Sequence, residues 1–485
     1  QLNVIIKEGE NTKFEVDIPA DGLYAFGMSY RALDKKMSKM QIGIMIDGSY
    51  PYSEARNFEV PRMWCDENNK NRTDSFGNEY AAQQVLYQNY YFDYIYDYSA
   101  DYFTKYKVYL KKGTHSVMVS SVEGILEIEY FEFSVEEEIK NYSKPGDTDK
   151  HYKGSRIEIE GEAAKVKSSY YLVGKTDAST VNVSPNNYAR NVVNYIGGGN
   201  WKSIGDTIIW ETPYLQEGYY QIGFSYRQNT VIGGKTYRIL KIDGKVPFAE
   251  AEAVGFKYGD NWQKFYFADG SKNPYLIYFS EGKHTISLTV TAGVVAKVRE
   301  LLRDSVSMLG DLYVDIIMIT GENVDVYRDY QLFSQIPNME ERLTEVKDRL
   351  NAAGELLLEI NGQDSGSHYS VIRNMIEVID KMLKNKFDSH RYKNYYYSNY
   401  CSVSAVLEEI CDMPLDIDRI VLAAPGEEKV VETKGILTRI AYSTMRFLNS
   451  FVRDYTAVSV SKDSNTKSIT VWVNWGRDQA QVLSS

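Results

Sequence analysis

The chain has 485 residues, a formal net charge of −11 and 43% hydrophobic residues. That length is more than one hydrophobic core organises, and it predicts about three domains of ordinary size. The acidic charge argues against a nucleic-acid partner, because phosphate binding needs clustered lysine and arginine. The three cysteines match neither a disulfide framework nor the spacing of a zinc site.

The first well-marked element is a strand within Asp21–Arg31, and a closely similar segment recurs at Glu217–Arg227. The offset between them is 196 residues (217 − 21), and Ile46–Gly48 returns as Ile242–Gly244 at the same offset. A repeat of this length indicates one domain type used twice.

In each copy, side chains alternate with the two-residue period of a strand, and the Ile-Asp-Gly segments are hairpin turn signals. Many short alternating strands predict a β-sandwich or jelly roll. We place the sandwiches at residues 1–140 and 155–325, with last strands at Leu126–Phe133 and Leu312–Ile319. The first copy has few residues before the shared core, so we expect its opening strand to be missing.

The period becomes helical from Asn338 onward and predicts a helical bundle over residues 335–456. After a first helix that ends near Asn361-Gly362, further helices are expected near His368–Lys386, Ser402–Cys411 and Gly435–Val452. The apolar seam of the first helix consists of Met339, Leu343, Val346, Leu350, Ala353, Leu357 and Ile360.

The tail differs again, since Ser468–Gly476 reads as a strand and Arg477–Leu483 as the start of a helix. A strand followed at once by a helix opens an α/β domain. Because one strand cannot form a sheet, residues 468–485 are expected to begin a truncated domain whose partner strands lie beyond Ser485.

Two parts of the chain resemble known families. The segments Ile157–Ala163, Gly205–Trp210 and Leu312–Ile317 are similar to calcium-containing jelly-roll carbohydrate-binding modules with a galactose-binding-like fold. The segments Ile469–Val473 and Gly476–Leu483 resemble the start of a family 1 extracellular solute-binding protein. The order of the predicted domains is similar to a subgroup of these proteins from Gram-positive bacteria, the sugar-capturing lipoproteins of ABC importers.

The resemblance implies a mainly β chain: two jelly-roll sandwiches, then a helical bundle, then a truncated solute-binding domain. It implies an extracellular, cell-surface lipoprotein that takes an oligosaccharide or polysaccharide as its ligand. It also implies an ABC permease as partner through the missing domain, and a membrane association only through a lipid anchor outside this chain.

Calcium is the cofactor that the resemblance implies, because the similar modules place an acidic residue on the first strand beside an aspartate on the last. The matching carboxylates here are Glu160, Glu162 and Asp315, and carboxylate oxygens suit this hard cation. The alternative is that these are ordinary carboxylates facing solvent. The first copy offers only Glu129, so we expect any calcium in the second copy alone.

Sugar binding is expected to use aromatic rings, whose flat faces cover a pyranose. The candidates are Trp201, Trp262 and Tyr266, together with the acidic Asp206. Trp201 follows a glycine-rich loop and is the favoured candidate, whereas Trp210 alternates with apolar neighbours and is expected in the core. A structural role for all of these rings is the alternative. The tyrosine-rich segment Tyr87–Tyr109 is either a binding face or a strand pair packed on a neighbouring domain.

No nucleophile, metal or phosphate-binding motif of a known enzyme occurs, and we expect no catalytic activity. His115 and His284 occupy the same repeated position and are expected to be structural. The sequence therefore predicts a non-catalytic carbohydrate-binding or spacer region of an extracellular solute-binding protein for oligosaccharide uptake. The alternatives are the accessory region of a secreted glycoside hydrolase and a purely structural stalk.

Overall fold

The structure is a computed structural model that describes residues 3–451 except 75, 98–102, 137, 147–148, 362–365 and 432. The described part is mainly β, with antiparallel sheets and a helical bundle. None of its helices is long and apolar enough to span a membrane. The strand and helix predicted at 468–485 lie outside the described residues.

The first part of the chain consists of short antiparallel strands with alternating burial. In chain order they are β1 (Val4–Ile6), β2 (Asn11–Ile18), β3 (Gly22–Ala32), β4 (Met40–Ile46), β5 (Phe58–Val60), β6 (Trp64–Asp66), β7 (Arg72–Thr73), β8 (Glu79–Tyr80), β9 (Gln84–Leu86), β10 (Tyr91–Tyr94), β11 (Lys107–Leu110), β12 (Gly113–Glu123) and β13 (Leu126–Val135).

Two sheets of these strands form the first sandwich. One has the order β1-β13-β3-β10, with β11 also paired to β3, and the other has the order β2-β12-β4-β5. Their inner faces bury a common apolar core, in which Met28, Ile42 and Val119 are fully buried. The expected absence of the opening strand is wrong, because β1 pairs with the last strand, β13, and places Val4 opposite Ile128.

The second sandwich uses strands from two separated stretches of the chain. They are β14 (Ile157–Glu160), β15 (Val166–Lys167), β16 (Gly174–Lys175), β17 (Tyr195–Gly198), β18 (Thr207–Glu211), β19 (Gly218–Gln228), β20 (Lys235–Ile242), β21 (Val254–Lys257), β22 (Gly259–Tyr266), β23 (Leu276–Phe279), β24 (Thr285–Thr291) and β25 (Leu415–Ala423).

One sheet of the second sandwich has the order β16-β17-β25-β19-β22, with β14 paired to β25 and β23 paired to β19. The other has the order β21-β20-β24-β18-β15-β6-β9, so it includes two strands from the first part of the chain. Lys167 of β15 is opposite Trp64 of β6 and forms a buried ion pair with Asp66. The two parts of the chain therefore share one continuous sheet.

The prediction of a last strand at Leu312–Ile319 is wrong, because this segment lies within a helix, α1 (Ala296–Thr320). Its buried positions Leu309, Leu312 and Ile316 are three or four residues apart, as one face of a helix requires. The last strand is β25, which pairs with both β14 and β19.

The helical bundle is therefore inserted in the second sandwich between β24 and β25. The predicted limits of 155–325 do not enclose the second sandwich, because they leave out β25. Its helices are α1, the short α2 (Leu332–Gln335), α3 (Met339–Asn361), α4 (Gly366–Lys384) and α5 (Lys393–Cys411). The helix predicted from Met339 is confirmed as α3, and Leu343 and Leu350 of its seam are fully buried.

The helix predicted near Gly435–Val452 is present as α6 (Ile436–Ser450), but it follows β25 and is not part of the inserted bundle. Its buried Tyr442 donates through its hydroxyl to the backbone carbonyls of Ala178 and Asn187, at 3.4 and 3.3 Å. The predicted bundle limits of 335–456 are thus wrong at both ends. The bundle begins earlier, with α1 at Ala296, and β25 separates α5 from α6.

Part of the tyrosine-rich segment packs against the second sandwich. Tyr96 is buried, and its hydroxyl accepts a hydrogen bond at 3.2 Å from Lys241 of β20. Lys241 also lies 3.7 Å from Asp93 of β10. This arrangement agrees with the alternative in which such a segment packs on a neighbouring domain.

Candidate functional site

The outer face of the sheet formed by β17, β25, β19 and β22 carries a connected group of polar and aromatic side chains. Residues along β19 alternate between the two sides of the sheet. Arg227 and Ser225 therefore lie on the outer face, where they are opposite Asp416 and Arg419 of β25. The residues of β19 that enter the core instead are Tyr220, Ile222, Phe224 and Tyr226.

Arg227 is the centre of what we call the arginine cluster: Arg227, Asp177, Asp416, Trp262 and Tyr195. Its guanidinium donates to Asp416 Oδ2 and to Asp177 Oδ2, each at 2.9 Å. The indole N–H of Trp262 donates to the same oxygen of Asp177 at 2.8 Å. The guanidinium carbon lies 4.8 Å from the ring centroid of Trp262 and 5.5 Å from that of Tyr195. Charge-assisted hydrogen bonds and cation–π contacts thus hold the cluster in one arrangement.

The charges of the cluster depend on one another. Burial alone would lower the pKa of Arg227, but Asp416 and Asp177 raise it above its usual value. Burial alone would also raise the pKa of Asp177, but hydrogen bonds from Ser179 and Trp262 keep it low. The pKa of Asp416 stays raised by burial, against the opposing effect of Arg227. Arg227 therefore pairs with two buried carboxyl groups, and the charge of Lys175 also acts on Asp416.

The other end of the outer face is covered by residues 424–431 and 433–434, which follow β25 and which we call the strap. The side-chain amide of Gln221 donates to the carbonyl of Glu427 at 2.6 Å, and the hydroxyl of Tyr266 donates to the carbonyl of Lys429 at 3.0 Å. The valines that close this contact are Val421, Val430 and Val431.

Trp262 and Tyr266 lie on the same face of β22, as the strand period requires, but in different surroundings. Trp262 is partly exposed and belongs to the arginine cluster. Tyr266 lies beneath the strap, beside a cavity of about 550 Å³ that Lys264 and Glu428 also line. Of these two predicted rings, Trp262 is the one placed in the polar cluster.

The prediction that Trp201 forms a surface platform is wrong, because its side chain is fully buried. Its indole N–H donates to the carbonyl of Asp206 at 3.1 Å, and the guanidinium of Arg238 lies 4.2 Å from its ring. Trp210 is also buried, as expected for a core residue, and its ring centroid lies 6.3 Å from that of Trp201. The glycines before Trp201 let the chain turn inward instead of presenting the ring to solvent.

Asp206 does not join Trp262 either. It lies in the turn before β18, and burial raises its pKa to about 6, against the opposing charges of Lys39 and Arg238. Lys39 belongs to the first part of the chain, so Asp206 lies near the contact between the two sandwiches. We therefore exclude it from the candidate site.

The set of Glu160, Glu162 and Asp315 does not form. Asp315 lies on α1 and accepts a hydrogen bond at 2.6 Å from Arg342 of α3, because its segment is helical. The aspartate that the last strand places near Glu160 and Glu162 is Asp418. No group of three or more acidic, histidine or cysteine side chains able to hold a metal occurs in the part of the chain that the structure describes.

Asp418 has its oxygens occupied. Its Oδ1 accepts from the backbone N–H of Ser184 at 2.9 Å, and its Oδ2 accepts from Ser225 at 2.6 Å and from Arg419 at 3.0 Å. Arg419 also pairs with Glu158 at 2.9 Å. A guanidinium thus already supplies the positive charge here, and these residues do not fit calcium. Calcium binding itself stays a prediction.

The first sandwich repeats part of the outer-face arrangement. Arg31 pairs with Glu127 at 2.7 Å, and the hydroxyl of Ser29 donates to Glu129 at 2.7 Å. The guanidinium carbon of Arg31 lies 5.1 Å from the ring of Tyr90. The corresponding residues of the second sandwich are Arg227, Asp416, Ser225, Asp418 and Trp262.

Sequence reasoning missed Arg227, Asp177 and Asp416 as site residues. The repeated Ser-Tyr-Arg, which ends at Arg31 and at Arg227, was an available signal. The partner Asp416 had no such signal, because the inserted bundle separates its strand from the rest of the sandwich.

Comparison with protein families gives one match. Residues 297–389 match the four-helix bundle domain of bacterial solute-binding proteins. This stretch contains all but the first residue of α1 and the whole of α2, α3 and α4, all within the inserted bundle. A comparison with curated protein sequences gives no match.

Solved structures are similar to parts of the chain. A family 35 carbohydrate binding module from Clostridium thermocellum aligns with 28% of this chain and 87% of its own, at 13% identity and a TM-score of 0.20. A GH26-CBM35 β-(1,4)-mannanase from Podospora anserina aligns with 28% of this chain and 24% of its own, at 15% identity and a TM-score of 0.19. A cycloisomaltooligosaccharide glucanotransferase from Paenibacillus sp. aligns with 32% of this chain and 17% of its own, at 19% identity and a TM-score of 0.20.

Proposed function

We propose that this chain is a non-catalytic carbohydrate-binding region of an extracellular solute-binding protein for oligosaccharide uptake. The observation that carries the proposal is the insertion of the bundle, which matches the solute-binding family, within a sandwich that presents the arginine cluster. Because β25 follows the bundle, the two parts cannot be separate modules of the chain.

The arginine cluster supplies the contacts that a sugar needs. Trp262 is partly exposed. Its ring is held by the guanidinium of Arg227 over the ring and by Asp177, which accepts from the indole N–H. A fixed aromatic ring loses little conformational freedom when a pyranose stacks on it.

The remaining parts of the proposal concern the whole protein. We infer a cell-surface lipoprotein whose anchor and ligand-capturing domain lie outside the described residues, and which delivers sugar to an ABC permease. In this role the sandwiches hold a glycan near the importer. Calcium as a structural cofactor stays part of the proposal, although the predicted ligands Glu160, Glu162 and Asp315 do not come together.

A glycan array with the wild-type chain and Trp262→Ala tests the binding role. We expect the wild type to bind at least one glycan class and Trp262→Ala to bind it about tenfold more weakly, which is about 1.4 kcal/mol. Tyr214→Ala is the matched control, because Tyr214 is exposed and lies outside the arginine cluster. Trp262→Phe should keep most of the binding, since it retains a flat ring.

The other candidate functions predict different results. An array without any bound glycan would contradict the binding role and favour a structural stalk. Measured hydrolysis of a bound glycan, lost on substitution of one carboxylate, would contradict the non-catalytic role. A glycoside hydrolase domain encoded after Ser485 would favour the accessory region of a secreted enzyme.

A further inference from the structure

A cavity of about 360 Å³, which we call the α6 groove, lies between α6 and the segment that joins β16 to β17. Ser179 and Tyr188 line it from that segment, and Ser443 and Arg446 line it from α6. Tyr442 fixes this geometry, because its hydroxyl donates to two backbone carbonyls of the same segment. Arg446 follows Tyr442 by four residues and therefore lies on the same side of the helix, one turn further on.

The guanidinium of Arg446 lacks a counter-charge. It makes no ion pair or hydrogen bond with any residue that the structure describes, and its Nη1 atom is buried without a partner. The side chain as a whole is only partly buried, so part of it is open to a ligand in the groove. Among the described residues that line the groove there is no aspartate or glutamate. A cation that is partly removed from water without a partner favours an anionic ligand group.

The α6 groove adjoins the arginine cluster. The hydroxyl of Ser179 donates to Asp177 Oδ1 at 2.6 Å, and Asp177 Oδ2 accepts from the indole N–H of Trp262 at 2.8 Å. One wall of the groove is therefore joined to Trp262 through a single aspartate. Asp177 already pairs with Arg227 at 2.9 Å and does not pair with Arg446, so the charge of Arg446 stays available.

We propose that the α6 groove binds the anionic group of an acidic glycan, a carboxylate, sulfate or phosphate, while a neighbouring ring of the same glycan lies against Trp262. The inference rests on the proposed glycan-binding function and names the ligand class. A guanidinium presents its N–H donors in a planar fork that matches the oxygens of these groups. The hydroxyls of Ser443 and Tyr188 supply further donors at the same cavity.

The charge of α6 fits this ligand class. The whole chain has a net charge of −11, whereas α6 contains Arg439 and Arg446 and no acidic residue. An acidic glycan thus meets a locally cationic helix on a chain that is acidic overall. Since salt screens the attraction between charges, binding of acidic glycans should weaken as the salt concentration rises, and binding of neutral glycans should change little.

Arg446→Met tests the groove, because it removes the charge and keeps the length of the side chain. The matched control is Arg439→Met, since Arg439 lies on the same helix, is exposed and does not line the groove. Both variants lose one positive charge, so a difference between them reports the groove and not the net charge. Thermal unfolding of each variant checks that it is folded, and the salt dependence of wild-type binding needs no substitution.

The probes are matched glycans on an array, built on galactose, mannose and glucose backbones. In each set the neutral oligosaccharide is compared with its uronic-acid counterpart and with its 6-sulfate and 6-phosphate esters, which distinguishes the three anionic groups. We expect the wild type to bind at least one acidic form about tenfold more tightly than the neutral form. Arg446→Met should lose this preference, Arg439→Met should keep it, and Arg446→Lys should keep part of it, because a point charge replaces the fork.

The two proposals fail in different ways. A wild type that binds neutral glycans through Trp262 and does not prefer acidic ones overturns the α6 groove alone. A preference for acidic glycans that is equal in Arg446→Met and Arg439→Met, or that does not change with salt, also overturns it. A wild type that binds no glycan of either kind overturns both the α6 groove and the proposed function.

Discussion

Glu162, just after the first strand of the second sandwich, has a pKa that its buried surroundings change strongly. Burial raises its pKa to about 9, and the nearby charges of Glu160 and Asp418 act in the same direction. Its Oε2 atom is buried and has no hydrogen-bond partner among the described residues. The native protein therefore holds this carboxyl group protonated at neutral pH, whereas the unfolded chain ionises near the ordinary value of 4.5.

This difference sets the sign of a pH effect. Between about pH 4.5 and pH 9 the native state binds one more proton than the unfolded state, so stability falls as pH rises, by up to about 1.4 kcal/mol per pH unit. Glu162→Gln should remove this contribution, so that the variant equals or exceeds the wild type in stability at pH 8. Urea unfolding of the wild type and Glu162→Gln from pH 5 to pH 9 measures this contribution to the free energy of unfolding.

Glu160→Gln is the control, because Glu160 is exposed and its removal should leave most of the pH dependence. Equal pH profiles for the wild type and Glu162→Gln would contradict the assignment. A rise in the unfolding midpoint on addition of calcium, lost in Glu162→Gln, would instead show that a cation occupies this group of carboxylates.

At the scale of single residues, the local period of a strand fixes which side chains share a face. The four-residue spacing of Trp262 and Tyr266 places both on one face of a strand. Trp201 failed because a glycine-rich loop permits either burial or exposure, and the packing of distant residues decides between them. Asp315 failed because its role depended on a strand assignment.

The strap packs directly on the outer face of the second sandwich. Its valines and backbone carbonyls contact Gln221, Tyr266 and Val421. Gly223 of β19 makes this close approach possible, since a Cβ there would lie 2.7 Å from Val430 Cγ1 and 2.8 Å from Tyr266 Cδ1.

Gly223→Ala should therefore destabilise the chain by about 1–3 kcal/mol, because an added methyl group overpacks the strap against the sheet. Chemical unfolding measures the loss. Gly199→Ala is the control, because nothing lies within 4 Å of its added Cβ. A Gly223→Ala variant as stable as this control would show that the strap does not pack on β19.

The element that misled the sequence interpretation most is the C-terminal half of α1. Val314, Ile316 and Met318 alternate as in a strand, yet Leu309, Leu312 and Ile316 also have helical spacing. Short apolar segments fit both periods, and the length of the continuous helical pattern decides. Here the pattern continues from Val298, so the helix runs through the whole segment.

At the scale of the whole molecule, the sequence-based interpretation assumed that each domain is one continuous segment. The repeat analysis predicted two sandwiches and the helical period predicted a bundle, and both kinds of structure are present. The insertion was not predictable from periodicity, because nothing in a local pattern tells which sheet a distant strand joins. All nine residues of β25 are buried, and the strand pairs with β14 and β19. Only the three-dimensional structure reveals this pairing.

The central claim is that the inserted bundle and the second sandwich form one folding unit. Their separate reporters make this testable, since residues 296–411 contain no tryptophan while Trp201 and Trp210 lie in the sandwich core. Helical circular dichroism at about 222 nm follows mainly the bundle. Tryptophan fluorescence follows the sandwiches when Trp472 and Trp475, which lie outside the described residues, are both replaced by phenylalanine.

Leu350→Ala, in the fully buried seam of α3, should cost about 2–5 kcal/mol. The control is Leu437→Ala in α6, where the side chain is 83% exposed and the change should have little effect. The decisive measurement is urea unfolding of Leu350→Ala followed by both signals. If bundle and sandwich are one unit, both midpoints fall together. A helical signal that falls at lower urea, with the fluorescence midpoint unchanged from the wild type, would contradict the account.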